Sequence, residues 1–313
     1  MRLLVSGGAG FIGSHVVSGA LAQGFEVAVL DNFSTGKPEN VPAGVRIFHT
    51  DLRDREATFR AVTEFAPELV SHQAAQASVT LSFRDPRFDA EVNIVGGLNL
   101  LDACTAAGNR VRHFVFASTG GAIYGEVPEG QRADEAFRLE PKSPYGMAKL
   151  TFERLLDSYR EQRGLSTTVL RYANVYGPRQ APHGEAGVIA IFCDSALAGR
   201  PLTVFAKRRP GDGGCIRDYV FVGDVARANL QALAGKLSLA VLNVGSGRPT
   251  RTFDLAQHVV RLCDAQSGIE QGGVRLGDIE RSLLDVTHFT NTLGLPVPLE
   301  AGLAETARWY RER

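Results

Sequence analysis

The chain is short of cysteine, nearly devoid of lysine, has no surplus of charge and contains no long apolar run. Each shortage narrows what it can be. Its four cysteines, Cys104, Cys193, Cys215 and Cys263, are widely spaced and form no Cys-x-x-Cys pair. That excludes a zinc framework or a dense disulfide scaffold and fits a reducing compartment. Thirty-four basic side chains meet 34 acidic ones, so the basic excess that marks a nucleic-acid binder is missing. No apolar stretch reaches the ~18 residues of a membrane helix, and the apolar opening Met1–Val5 stops at Ser6-Gly7-Gly8, too soon for a signal-peptide core. The seven histidines are scattered with no His-x-x-x-His pair, so no metal site is expected. These readings predict a cytoplasmic protein with neither nucleic-acid nor membrane partners.

What is present is an ordinary globular balance, 44% hydrophobic and 22% charged over 313 residues, enough for about two domains of ~100–200 residues each. Among the basic residues, 29 are Arg and five are Lys. A lysine kept at a chemically demanding position therefore carries extra weight.

The first half alternates short apolar runs with helical patterns. Strands are expected at Leu3–Val5, Val27–Leu30, Val45–Phe48, Leu69–His72, Val111–Phe116 and Thr167–Leu170. Helices are expected at Ser14–Gln23, Glu56–Phe65, Val92–Ala107 and Leu150–Gln162. This alternation predicts an α/β protein with a doubly wound parallel sheet. After Tyr176 the pattern loosens, with loops at 177–184 and 207–214 and helices at Asp224–Ala234, Thr252–Ala265 and Leu303–Arg311. A smaller α+β lobe is expected there, interrupted by a return to the sheet near Tyr219–Val222. The predicted division is a first domain of residues 1–174 plus about 217–243, and a lobe of 175–216 and 244–313.

Gly8-Ala9-Gly10-Phe11-Ile12-Gly13 follows the first strand and opens a helix. Glycines there permit a tight turn and close backbone approach to a pyrophosphate, with the helix N-terminus supplying positive potential. Asp31 ends the second strand, where a carboxylate can bond both ribose hydroxyls and repel a 2′-phosphate. The fold is thus read as Rossmann-type, with a preference for NAD. Asp51-Leu52, after the third strand, reads equally as a neighbour of the adenine or, for Asp51, as a helix N-cap.

Tyr145 and Lys149 are four residues apart, on one face of a helix opened by Pro144. A compact ammonium beside a phenol favours the phenolate and can reach ribose hydroxyls. Ser118 and Thr119, at the C-terminal end of a strand, offer a hydroxyl where open α/β sheets bind ligands; they also read as turn residues bonding the backbone.

Together with His72-Gln73-Ala74-Ala75, Arg171–Arg179, Arg217–Val222, Asn243-Val244-Gly245 and Gly277–Ser282, these motifs give a sequence that resembles the extended short-chain dehydrogenase/reductase family over nearly its whole length. The resemblance implies a nucleoside-diphosphate-sugar 4-epimerase acting on a UDP-hexose, interconverting the glucose and galactose forms, with tightly bound NAD and a homodimeric assembly. Tyr145 would be the base, Lys149 would bind the nicotinamide ribose, and Thr119, with Ser118 beside it, would supply the hydroxyl. The cofactor would also meet Gly7, Gly10, Phe11, Ile12, Gly13, Asp31, Asn32, Ser34, Asp51, Leu52, Gln73, Ala74, Ala75, Asn93 and Tyr172. On the substrate side the resemblance implies Asn174, Arg217 and Arg275 at the diphosphate, Phe205 against the uracil, Val188 and Ile189 through their backbone, and Asp278 at the ribose.

Gly120-Gly121 stands where related 4,6-dehydratases carry an Asp-Glu pair, which favours epimerisation over dehydration. Ala173 and Ser282 replace larger residues found in some relatives and leave room for an N-acetylhexosamine or a uronate. A dehydratase, decarboxylase or net reductase of the same fold, and a nucleotide-sensing module without turnover, are the competing readings.

Overall fold

The structure, a computed structural model, describes all residues except 107, 110, 183–186, 238 and 275–278. From the N-terminus, β1 (Arg2–Ser6), α1 (Phe11–Ala22), β2 (Glu26–Asp31), β3 (Arg46–His49), α2 (Arg55–Phe65) and β4 (Leu69–His72) alternate. Two short helices, α3 (Val79–Arg84) and α4 (Pro86–Ala90), lead into a π-helical turn (Glu91–Gly96) that continues as α5 (Gly97–Thr105). Next come β5 (His113–Thr119), α6 (Pro144–Arg163), β6 (Ser166–Tyr172) and β7 (Asn174–Tyr176). They are followed by α7 (Val188–Leu197), β8 (Leu202–Ala206), β9 (Ile216–Phe221), α8 (Val222–Leu233), β10 (Val241–Val244) and β11 (Pro249–Arg251). Helix α9 (Thr252–Leu262), β12 (Ile269–Val274), α10 (Thr287–Leu293) and α11 (Leu299–Arg311) close the chain. No helix among the described residues is long and apolar enough to cross a membrane.

The chain divides into two compact units. The first comprises Met1–Thr119, Ser143–Arg171 and Ala226–Leu242; the second comprises Gly120–Lys142, Tyr172–Val225 and Asn243–Arg313. The first is built on a seven-stranded sheet of order β10-β6-β5-β4-β1-β2-β3. In it β1 pairs in parallel with β2 and with β4, β2 with β3, and β4 with β5. Successive residues are buried along β1, β2, β4 and β5, the pattern of strands covered on both faces. The core packs Leu4, Leu30, Val62, Leu100, Phe114, Phe116, Phe152 and Leu156 together. The strand order reverses between β1 and β4, and open α/β sheets bind ligands beyond the C-terminal strand ends at such a switch point.

The second unit holds a three-stranded sheet, β11-β9-β7, and a two-stranded one, β12-β8. Strand β9 runs antiparallel to β11 and parallel to β7.

Two expectations are revised. The apolar segment Tyr219–Val222 does not return to the main sheet: β9 pairs with β7 and β11, and β10 is the strand that joins the seven-stranded sheet. Residues 120–142, expected with the first domain, belong to the second unit. Backbone bonds hold them there: Ala133 N donates to Leu283 O (3.0 Å), Asp285 N donates to Ala133 O (2.8 Å), and Val127 N donates to Arg281 O (3.1 Å). The helix expected over Val92–Ala107 is entered through the π-helical turn and ends at Thr105, while residue 107 is outside the described residues.

Candidate active site

The glycine turn is held by backbone geometry. Gly7 has φ +69°, and a side chain there would put its Cβ 2.5 Å from Ala74 N, so glycine is required on two counts. Gly13 packs so closely that an added Cβ would come within 2.1 Å of Gly7 O. Gly10 precedes α1 without a side chain to cap it. The first-turn N–H groups, on Phe11, Ile12 and Gly13, are therefore left as donors for a ligand.

The loop after β2 folds back on this turn. Asp31 is buried, its Oδ2 accepting from Ala9 N (3.0 Å) and its Oδ1 from Phe33 N (2.8 Å). Burial pushes its pKa up, and the two N–H groups and His49 oppose that rise. Asn40 Nδ2 and Lys37 N both donate to Ala9 O, each at 3.0 Å; neither residue stood out in the sequence. Asn32 accepts from Ser34 N (3.0 Å) and donates to Asp51 Oδ2 (3.0 Å). Asp51 is also gripped by Arg53 through Nη2 (2.8 Å) and Nε (3.1 Å), and that pairing holds its carboxyl well below the usual range. Asp51 is not the N-cap of α2. Asp54 is, accepting from Ala57 N at 2.9 Å. Leu52 is a core residue whose carbonyl accepts from Asn99 Nδ2 (2.8 Å).

Beyond β4, Gln73 N donates to Ser6 O (2.9 Å), and Gln73 Nε2 donates to Ser71 Oγ and to Asn229 Oδ1, each at 2.9 Å. Ala74 and Ala75 follow beside the glycine turn, the first against Gly7. Asn93, in the π-helical turn, is 3% exposed and its amide serves the loop: it accepts from Gln76 N (3.1 Å) and donates to Gln76 O (2.9 Å) and to Asp89 Oδ1 (3.1 Å). Gln76 Nε2 completes the knot on Asp89 Oδ1 (2.5 Å).

Helix α6 starts with Ser143 as N-cap, accepting from Gly146 N (3.2 Å), and Pro144 in its first turn. That start aims Tyr145 and Lys149 along one face. Lys149 is 3% exposed. Its Nζ donates to Ala117 O (3.0 Å) and lies 4.8 Å from the Phe116 ring centroid and 5.9 Å from that of Tyr145. His72 bonds Ser6 Oγ through Nδ1 (2.7 Å); burial, assisted by Lys149, pushes its pKa down to about 3, so it is neutral. Ser118 and Thr119 separate here. The Ser118 hydroxyl is buried and donates to Glu153 Oε1 (2.5 Å), whereas Thr119, next along the strand, points to the opposite face.

In the second unit, Tyr172 is buried and its carbonyl accepts from Gly120 N (2.7 Å) and Gly121 N (3.2 Å). Asn174 and Arg217 share the three-stranded sheet. Asn174 Nδ2 donates to Asp218 O (3.0 Å), and Arg217 Nη1 donates to Ile216 O (3.0 Å). Phe205 lies on β8 against Gly272, where an added Cβ would come 2.9 Å from its Cδ1. Val188 and Ile189 open α7; the Ile189 side chain is buried. Arg275 and Asp278 lie outside the described residues. No group of three His, Cys, Asp or Glu among the described residues is placed to hold a metal ion.

A glycine turn at the switch point of a parallel sheet, with an acid ending the second strand, defines a Rossmann-type dinucleotide-binding protein. The chain belongs to the NAD dependent epimerase/dehydratase family, whose model matches residues 3–245, and its cofactor is accordingly NAD. It is similar to the UDP-glucose 4-epimerase of Mycolicibacterium smegmatis, 41% identical over 320 residues that cover 100% of this chain and 99% of that protein. Among solved structures, the UDP-glucose 4-epimerase of Thermus thermophilus in complex with NAD is 52% identical with a TM-score of 0.95, covering 99% of each chain. The UDP-glucose 4-epimerase of Thermotoga maritima with UDP-glucose is 43% identical with a TM-score of 0.92, covering 100% of this chain and 99% of that one. The residues present fit NAD: the first turn of α1 has no side-chain cap, and the Asp31 carboxylate ends β2 with one backbone donor on each oxygen.

Proposed function

We propose that the chain is a UDP-sugar 4-epimerase that interconverts UDP-glucose and UDP-galactose through a transient 4-keto sugar. The observation that carries the reading is the seat of Lys149, whose ammonium is pinned 3.0 Å from the Ala117 carbonyl at the end of β5, one helical turn from Tyr145. Two UDP-glucose 4-epimerase structures aligned over essentially the whole chain support it. The first unit is the NAD-binding and chemical half; the second carries the sugar-nucleotide anchors.

Residues Gly7, Gly10 to Gly13, Asp31, Asn32, Ser34, Asp51, Leu52, Gln73 to Ala75, Asn93 and Tyr172 hold or shape the place of NAD. When bound, NAD supplies a two-electron oxidant that is regenerated within each turnover. Tyr145 takes the proton of the sugar 4-hydroxyl and later returns it. Lys149 stabilises the negative charge that forms on the phenol oxygen and binds the nicotinamide ribose. Thr119 holds the reacting sugar oxygen by its hydroxyl. Asn174, Arg217 and Arg275 anchor the diphosphate, Asp278 the nucleotide ribose and Phe205 the uracil, with the backbone of Val188 and Ile189 meeting the nucleotide, leaving the sugar free to present either face. Gly120 and Gly121 contribute only backbone groups, both to Tyr172 O, so this segment offers no carboxyl pair for dehydration.

The same proposal includes a homodimer in the cytoplasm. Val95, 47% exposed, and Met147, 54% exposed, give the first unit apolar surface for a second copy, and four buried cysteines that form no disulfide fit a reducing compartment. Light scattering that finds a monomer removes the dimer.

The test is NMR of products from UDP-galactose, UDP-glucose and their N-acetyl and uronate analogues, with no redox partner added. Interconversion at C4 is expected, and Tyr145→Phe should slow it about 10²–10⁴-fold. A stable 4-keto product or stoichiometric consumption of NADH overturns the reading.

A further inference from the structure

One carboxylate joins the three elements that carry the proposed chemistry. Glu153 lies one turn beyond Lys149 on α6 and is 5% exposed. Its Oε1 accepts from Ser118 Oγ (2.5 Å) on β5 and from Arg171 Nε (3.1 Å) on β6, and its Oε2 accepts from Arg171 Nη2 (2.6 Å). Arg171 is itself 4% exposed. One turn earlier, Lys149 Nζ grips Ala117 O at 3.0 Å. Helix α6 is therefore stitched to β5 at two consecutive residues, 117 and 118, immediately before Thr119.

A buried ion pair is a poor source of stability, because desolvating both ions consumes most of what their attraction returns, and an apolar replacement is often neutral or better. What the pair does supply is direction: a carboxylate that accepts from a guanidinium fork and a hydroxyl has one orientation. We propose that Glu153, through Ser118 and oriented by Arg171, is a positioning residue that sets the spacing between the Thr119 end of β5 and the Tyr145/Lys149 face of α6. The proposal rests on the roles assigned above to Tyr145, Lys149 and Thr119. It also moves Ser118 out of contact with substrate and into the link behind it.

The experiment compares Ser118→Ala, Glu153→Asp, their double variant, and Glu153→Gln combined with Arg171→Met. Ser118→Ala removes one hydroxyl, and Glu153→Asp keeps the charge but shortens the reach. Each should lower kcat roughly 10–100-fold with KM for the UDP-sugar little changed, the cost of a displacement of about 1 Å. The Ser118→Ala/Glu153→Asp double should be no worse than the singles, because both break one link. The Gln/Met double leaves an amide oxygen for Ser118 but removes the fork that orients Glu153, and should lower kcat as the single variants do, roughly 10-fold.

A second readout needs no turnover. Ultraviolet difference titration of the Tyr145 phenol, against Tyr145→Phe, should shift upward in Ser118→Ala and Glu153→Asp as Lys149 loosens. His72 and Asp89, which also act on Lys149 electrostatically, are untouched in every variant. Parent-like kcat and phenol titration in Ser118→Ala overturn the proposal. So does a loss in Ser118→Ala as large as in Thr119→Ala, which would return Ser118 to the substrate. If the parent enzyme epimerises no UDP-sugar, the functional reading fails, while the phenol titration still decides the positioning role.

Discussion

Each unit buries a carboxylate completely or nearly so, and the two are neutralised by different means. Glu153 in the first unit faces a guanidinium and one hydroxyl. Asp218 in the second is fully buried and accepts from Ser246 N (2.8 Å), Ser246 Oγ (2.7 Å), Gly247 N (3.0 Å) and Leu284 N (3.4 Å). Burial pushes the pKa of Asp218 up, and these donors pull it back. An ion pair can be exchanged as a unit for two apolar side chains. A nest of main-chain N–H groups cannot be exchanged, because the donors belong to the backbone that the carboxylate organises. The first arrangement therefore suits a link that tunes geometry, and the second a knot that holds β9, the 245–248 turn and the 281–285 segment together.

The sharpest way to break the comparison is Asp218→Leu. It strands several buried donors at about 1–3 kcal/mol each, so a loss of roughly 4 kcal/mol or more is expected in chemical denaturation, with no apolar second-site rescue. Glu153→Leu alone leaves Arg171 buried without its carboxylate and should cost about 3–5 kcal/mol. Adding Arg171→Met should restore stability to within about 1 kcal/mol of the parent while turnover stays low. Restored turnover there would mean the link has no positioning role.

The smallest effect concerns the neutral buried group, His72. Its folded pKa of about 3 lies below the unfolded value near ~6.5, so the unfolded chain takes up a proton first as pH falls. Stability is fully present above about pH 6.5 and declines as pH falls below it, by up to about 1.4 kcal/mol per pH unit for this group, so by about 2 kcal/mol at pH 5. Denaturation of His72→Leu between pH 5 and 7 should show a shallower slope than the parent; an equal slope would mean His72 is protonated in the fold.

Much of the first unit was legible because its signals are local. The glycine spacing, the acid after the second strand and the i, i+4 relation of Tyr145 to Lys149 each depend on a few adjacent residues, and each sits where that local rule places it. Strand β9 pairs away from the main sheet, against its local pattern, for the opposite reason. Its buried run Asp218–Phe221 reads as an interior strand of a large sheet, and nothing in that run says whether the partner is β6 or β7. The local pattern offers both Ser118 and Thr119, the family resemblance favours Thr119, and the bond from Ser118 to Glu153, 35 residues on, separates the two in the fold. That Glu153 extends the Tyr145/Lys149 face by one turn was readable; that Arg171 meets it was not.

What the sequence by itself determined are the turns, caps and amphipathic faces, since backbone sterics and side-chain periodicity act over one or two turns of chain. Tertiary structure alone decided which strands pair, which hydroxyl reaches a carboxylate and which buried charges are matched by ions or by N–H groups. Those outcomes depend on closing loops of tens of residues, and their energies exist only once distant segments exclude water together.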